Sequence, residues 1–390
     1  MGARQEVARS IATRLFIVAV LSVAAGCGSG GARVSASAGN ATAGCSASIG
    51  IAAPLTGQIA QLGQEQLHFA QLAVGIDNRK NRTNIKLVEG DTQLSPAQAV
   101  TVAQQFISNS NVIALVGPGG SQEVDAVGPL LTRSGMAFIS GSATNARLTN
   151  GRYPTFFRVV SKDSVQGPQD ARYIVARLHP RRVMIVDDQE TYSTGLVDAM
   201  ADVFSRAGVA VDHESVNQQT TDFSSLVAKV TGSTTVVVLP WQVPAHAQQL
   251  GRDLAEQHKR AVIFGTDGVF APGTFTIPGS YVSSLGPDIR AIPAAAPIAA
   301  AATARWGAFG TAGPPMYAAT HVVDDAIATV CRSGHTPTRG NVLTAIRNTN
   351  EPASIIGQPI KFDAHGDRVG ATWFVFRIDP HGKYRLLSTG

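Results

Sequence analysis

Val112-Ile-Ala-Leu-Val116-Gly117-Pro118-Gly119-Gly120-Ser121-Gln122 and, one helix later, Ala137-Phe138-Ile139-Ser140-Gly141-Ser142-Ala143-Thr144-Asn145 decide the architecture. Each opens as a short unbroken apolar run, as a strand buried on both faces of a parallel sheet requires. Each then breaks into small residues, and the first leads into a helical pattern over 122–133. Strand, glycine-marked loop and helix in succession form the repeat of a parallel α/β sheet. Loops of this kind, beyond the carboxyl ends of strands, are where open α/β sheets bind ligands. The glycines let backbone approach a ligand, the helix start offers N–H groups, and Ser121 or Ser142 adds a hydroxyl. An anion such as a carboxylate fits both loops. The other reading is that each loop only caps its own helix.

The same alternation extends outward in both directions. Upstream, strands are predicted at 48–53 and 85–89, with helices at 64–79 and 96–109, the second begun by Ser95 as cap and Pro96 at its first position. Downstream the pattern restarts, with helices at 169–178, 192–207, 223–230 and 245–257 and strands at 182–186, 209–212, 235–239 and 262–264. Beyond a strand at 281–283 lies an alanine-rich stretch broken by Pro293, Pro297, Pro314 and Pro315. Helices at 317–331 and 339–347 and strands at 360–362 and 372–377 complete the reading. The fold class is α/β, in two successive βα blocks of similar size.

The N-terminus reads as an export signal. Arg4, Arg9 and Arg14 precede an apolar run from Leu15 that ends in small residues. That run is short of the roughly 20 apolar residues that span a bilayer. It closes on Leu21-Ser-Val-Ala-Ala-Gly26-Cys27, which resembles a bacterial lipobox. The resemblance implies a lipoprotein signal peptide over 1–26 and lipidation of Cys27, with each buried methylene worth about 0.8 kcal/mol of membrane binding. A plain cleaved signal with an incidental cysteine is the alternative. Residues 27–45, small and polar, read as a flexible tether. The expected location is the cell membrane, lipid-anchored on its extracytoplasmic face. In that oxidising setting Cys45 and Cys331 are either a disulfide or two buried thiols.

Several chemistries are excluded. The net charge of +5 is not gathered into a basic patch with aromatics, so nucleic acid is not a partner. The 117–122 loop lacks the last glycine of a dinucleotide fingerprint, no Walker lysine follows it, and Glu123 stands where a nucleophile elbow needs glycine. His365 beside Asp363 and Asp367 reads as a polar turn rather than a metal cluster. No catalytic residue, metal or cofactor is expected.

A resemblance refines this reading. Pro54-Leu-Thr-Gly57, Gly90-Asp91 with Pro96-Ala-Gln-Ala-Val100, Ile139-Ser-Gly-Ser-Ala-Thr144, Tyr153-Pro-Thr-Phe-Phe-Arg158, Gln166-Gly-Pro168 and Asp222-Phe-Ser-Ser-Leu226 occur in order. Together they resemble the leucine/isoleucine/valine-binding proteins of the type I periplasmic solute-binding family. The resemblance implies two Rossmann-like lobes with parallel sheets, residues 46–160 plus 287–350 and 161–286 plus 351–390. Three crossings, near 158–162, 283–286 and 358–362, would form a hinge that closes on the ligand. It further implies an ABC importer with permease and ATPase subunits as partners, a small-molecule ligand such as an amino acid or related zwitterion, and a monomer. A sensor of the same fold, signalling instead of feeding a permease, is the rival function.

Carried over by position, the ligand carboxylate contacts fall on Ser121, Ser142, Ala143 and Thr144. Tyr192 and Trp241 would cover the ligand from the second lobe, and Asp267 would hold its ammonium. Asp267 also makes sense alone, since a buried charge needs a partner and a zwitterion supplies one; its other reading is a turn aspartate bonding its own backbone. The chain departs from the family where Leu94 and Gly120 replace a first-lobe disulfide and Asp267 replaces a longer glutamate. Leu62 and Trp241-Gln242 stand where aromatics are usual, so leucine specificity does not carry over. Tyr317 reads as a core aromatic in preference to a cleft residue.

Overall fold

The computed structural model describes residues 45–389; the signal, Cys27 and most of the tether lie outside them. Two sheets organise the chain. The first is fully parallel and consists of β1 (Ser46–Ala53), β2 (Asn84–Asp91), β3 (Val112–Val116), β4 (Ala137–Ser140) and β5 (Phe156–Arg158), in the order β2-β1-β3-β4-β5. All five residues of β3 are buried, which is why its sequence is uninterrupted apolar. The crossovers are α1 (Ala60–Asn81), α2 (Pro96–Ser108) and α3 (Ser121–Arg133). Ser95 caps α2 as expected, accepting from the Gln98 N–H at 3.5 Å. Gly117 has φ +100°, and a Cβ there would lie 2.1 Å from the Ala52 carbonyl oxygen, so only glycine lets this loop pass β1.

The second sheet contains β6 (Arg182–Asp187), β7 (Ala210–Ser215), β8 (Thr234–Leu239), β9 (Val262–Gly265), β10 (Tyr281–Ser284), β13 (Phe374–Ile378) and β14 (Tyr384–Thr389). Its order is β14-β13-β10-β9-β8-β6-β7, parallel except for the last two strands of the chain, which join antiparallel. Helices α4 (Asp163–Tyr173), α5 (Thr191–Arg206), α6 (Ser224–Ala228) and α7 (Pro244–Glu256) accompany it. A π-helical turn, Ile174–Leu178, extends α4.

After β10 the chain returns to the first lobe through α8 (Ala296–Trp306), α9 (Gly313–Arg332) and α10 (Arg339–Arg347). Val322, Val323, Ala326 and Ile327 of α9 pack in one buried cluster with Leu67, Ala70 and Val74 of α1. Cys45 and Cys331 are bridged, tying the start of β1 to the end of α9 with their Cα atoms 5.7 Å apart. The short ribbon of β11 (Asn350–Glu351) and β12 (Ile360–Lys361) follows. Ile356, Ile360 and Phe362 join the first lobe's cluster, so the stretch expected with the second lobe from residue 351 stays with the first as far as Phe362. These apolar side chains find their burial there. Only from Phe374 does the chain add to the second sheet.

Candidate functional site

A cleft lies between the lobes, at the carboxyl ends of the parallel strands. Its first-lobe side is formed by the loop after β1 and by α1, with Pro54, Ile59, Leu62 and Gln66, together with Leu94, Gly119, Ser142, Thr311 and Ala312. The second-lobe side presents Tyr192, Gln242, Asp267, Gly268 and Phe270, and Leu285 sits at the crossing.

The two glycine-marked loops are fastened to each other. The Ser121 hydroxyl, 1% exposed, accepts from the N–H groups of Thr144 (3.2 Å) and Asn145 (3.1 Å). The Gly120 N–H donates to the buried Glu123 carboxylate at 2.7 Å, and burial pushes that carboxyl up to about 7. Ser142 donates from Oγ to the Gly119 carbonyl at 2.9 Å and accepts from Gln66 Nε2 at 3.2 Å. Of the four first-lobe residues expected at the ligand, Ser142 lines the cleft; Ser121, Ala143 and Thr144 are buried behind it. The Ala143 N–H donates to Ser140 Oγ at 2.9 Å, and the Thr144 hydroxyl faces Asp163. The N–H groups of Ser142, Ala143, Thr144 and Asn145, expected to meet an anion, are here committed within the protein.

Across the cleft, Tyr192 and Asp267 come together. Asp267 Oδ1 accepts from the Tyr192 hydroxyl at 2.7 Å and from Gln166 Nε2 at 2.8 Å. Tyr192 is further held by Thr266 Oγ1 at 2.6 Å and by the Gly268 N–H at 3.2 Å. Burial pushes the Asp267 carboxyl up to about 6, against the two hydrogen bonds that favour its ionised form. Asp163 and Asp170 of α4 lie behind it. Burial drives Asp163 to about 8 and Asp170 well above its ordinary value, and the Asp267 charge adds to both shifts. Ser283 Oγ donates to Asp170 Oδ2 at 2.8 Å and accepts from Gln166 at 2.9 Å. Among the described residues, none that lines the cleft is lysine, arginine or histidine. This end of the cleft therefore attracts a cationic or donor-rich group.

Trp241, expected over the ligand, is instead packed in the second lobe's core against Phe223, ring centroids 5.0 Å apart. Its neighbour in the loop after β8, Gln242, lines the cleft in its place. Gln242 accepts from Gln122 Nε2 at 2.9 Å, one of several bonds between lobes. Asn145 Nδ2 also donates across to the Thr191 carbonyl at 2.7 Å. The approach there depends on Gly195, where a Cβ would sit 2.2 Å from Asn145 Nδ2. Val243 of the second lobe packs with Ile59, Leu62 and Leu94 of the first. Tyr317 is buried against α1 and α8 in the first lobe, away from the cleft lining.

Gln66 was not foreseen, although it lies one helical turn from Leu62 and so shares its face. Leu94, Phe270, Leu285 and Thr311 come from separate loops, and no local signal joins them.

Residues 46–383 match the family described as periplasmic binding protein. The chain belongs to that family. An amino acid binding protein of Pseudomonas aeruginosa is 29% identical to this periplasmic binding protein, over 87% of this chain and 92% of the relative. A Leu/Ile/Val-binding protein homolog 2 of Brucella abortus is 27% identical, over 87% and 93%. The crystal structure of a leucine binding protein from Thermotoga maritima superposes with a TM-score of 0.80 at 21% identity, covering 88% of this chain and 98% of that one. The two-lobe fold of type I periplasmic binding proteins is thereby shown for this chain, and its relatives are solute-binding proteins rather than enzymes.

Proposed function

We propose that this protein is the solute-binding component of an ABC importer and takes an amino acid or a closely related small zwitterion. Asp267 carries the proposal: a carboxylate bonded by Tyr192 and Gln166, lining a cleft without a protein cation among the described residues. A ligand ammonium is the partner that such a group needs. The ligand carboxylate would take up the Ser142 side of the cleft, with Ser121 and Thr144 exchanging their mutual bond for bonds to the anion. The side chain would lie among Ile59, Leu62, Leu94 and Phe270, with Gln66 and Gln242 as polar contacts. The names of the Pseudomonas and Brucella relatives support an amino acid as ligand. Cys27, in its lipobox-like setting, is proposed as the lipid anchor on the extracytoplasmic face, and a permease with its ATPase as partners.

A thermal-shift panel of the mature domain with amino acids, amides and small carboxylates tests the ligand class. Ligand at about a thousand times its Kd stabilises the fold by about 4 kcal/mol. Stabilisation by amino acids supports the zwitterion site. A response confined to acids would remove Asp267 as an ammonium partner.

A further inference from the structure

Residues 307–312, between α8 and α9, form a strap that brings Thr311 and Ala312 into the cleft lining. Aromatic contacts hold its first half. Phe309 meets Phe69 of α1 edge to face, centroids 5.1 Å apart, and Trp306 stacks on His68 at 4.5 Å. Its second half and its entry into α9 are held by charge. Glu65 of α1 accepts from the Gly310 N–H through Oε2 and from the Gly313 N–H through Oε1, both at 2.7 Å. Gly313 opens α9, whose cap residue Ala312 makes no side-chain cap bond. The first N–H groups of a helix have no partner within it, and a carboxylate is favoured there. On α1 itself, Leu62 and Gln66 flank Glu65 and line the cleft. From the other side, Ser284 Oγ donates to Thr311 Oγ1 at 2.9 Å, so the strap also reaches the crossing beside Leu285.

We infer that Glu65 is a positioning residue for ligand binding, clamping the strap to α1 so that Thr311 and Ala312 complete the wall opposite Asp267 and Tyr192. Glu65 is absent from the cleft lining and acts through the strap. The ligand arm of its test rests on the amino-acid reading given above; the exchange arm does not.

The experiment compares wild type with Glu65→Ala and Glu65→Gln in the mature protein. Amide hydrogen exchange at Gly310 and Gly313 is read without ligand, and affinity is read by calorimetry with L-leucine, L-valine and L-glutamine. Glu65→Ala is expected to expose both amides to exchange, lower the unfolding midpoint through the loss of two hydrogen bonds to a charged group, and weaken binding about tenfold. Glu65→Gln keeps one acceptor and should recover part of both effects. Exchange at the wild-type rate in a folded Glu65→Ala protein overturns the inference, as does wild-type affinity for a probe that wild type binds. Should wild type bind none of the probes, the amino-acid reading is weakened and exchange alone decides the role of Glu65. If the alanine variant does not fold, the same two readouts on Glu65→Gln decide it.

Discussion

Arg158 and Asp367 stand 209 positions apart and meet at the edge of the first sheet, Nε to Oδ1, at 2.6 Å. Lys162 takes the other carboxylate oxygen at 2.7 Å. The remaining guanidinium N–H groups reach Thr149 and the carbonyls of Ala143 (3.3 Å) and Asn145 (2.9 Å). One buried arginine thus joins a lobe crossing to the loop that carries Ser142 and Thr144.

Arg158→Met should cost about 3–5 kcal/mol, because it leaves a buried carboxylate without its main partner. Urea denaturation measures this loss. Burial alone would raise the Asp367 carboxyl, but Arg158 and Lys162 outweigh it and hold the group below its ordinary 3.8. A depressed carboxyl contributes stability that is complete above that value and lost as pH falls below it. The variant should therefore show a flatter decline in stability below pH about 4 than wild type.

Ligand affinity should fall as pH drops through about 6, where Asp267 takes up its proton. Calorimetry at pH 5, 6 and 8 checks this for any amino acid that binds. Asp267→Asn should weaken binding at pH 8 by about ten- to a hundredfold, the value of a charged hydrogen bond, and should remove the pH dependence. Tyr192→Phe deletes a donor that favours the ionised form, so the midpoint should move upward.

Asp324 of α9 is fully buried, and both its oxygens lack a hydrogen-bond partner within the protein. Burial and the nearby Asp77 charge push it up to about 8. A carboxyl raised on folding opposes the folded state once ionised, so its favourable contribution is lost as pH rises from 3.8 towards 8. Asp324→Asn should be more stable relative to wild type at pH 9 than at pH 5, as differential scanning calorimetry would show. An equal difference at both values would remove Asp324 as the source.

Opening the Cys45–Cys331 bridge should destabilise the domain by roughly 6 kcal/mol, given the 286-residue separation and the chain-entropy relation. The double serine variant and reduced wild type should unfold at the same lower denaturant concentration. Oxidised wild type should unfold later.

Where local pattern decides structure, the sequence was legible. The apolar run 112–116, the Ser95-Pro96 helix start and the loop–helix repeats all appear where their chemistry puts them. The alanine-rich stretch concealed α8, because Pro293 and Pro297 read as breaks although Pro297 sits in the helix's first turn. Strand β14 was missed since its half-exposed Leu386 and Leu387 break the alternation of a one-sided strand. Ser142, Tyr192 and Asp267, placed at the ligand by the family resemblance, line the cleft. Trp241 misled because residue type does not show which way a loop turns its side chains. Gln166, behind Asp267, belongs to a helix of the second lobe, and the bond between them spans 101 positions.

The covalent bridge also determines how the fold bears load. β1 lies between β2 and β3, and the residue at its entrance is bonded to the far end of α9. A pull on the chain ahead of Cys45 passes through the sulfurs into α9 as well as into β1. The strand is thereby protected from being peeled out of its sheet from that end. Tension reaching the first lobe along the backbone is shared with the helix packed on α1, and the cleft lies beyond the opposite end of β1 from Cys45.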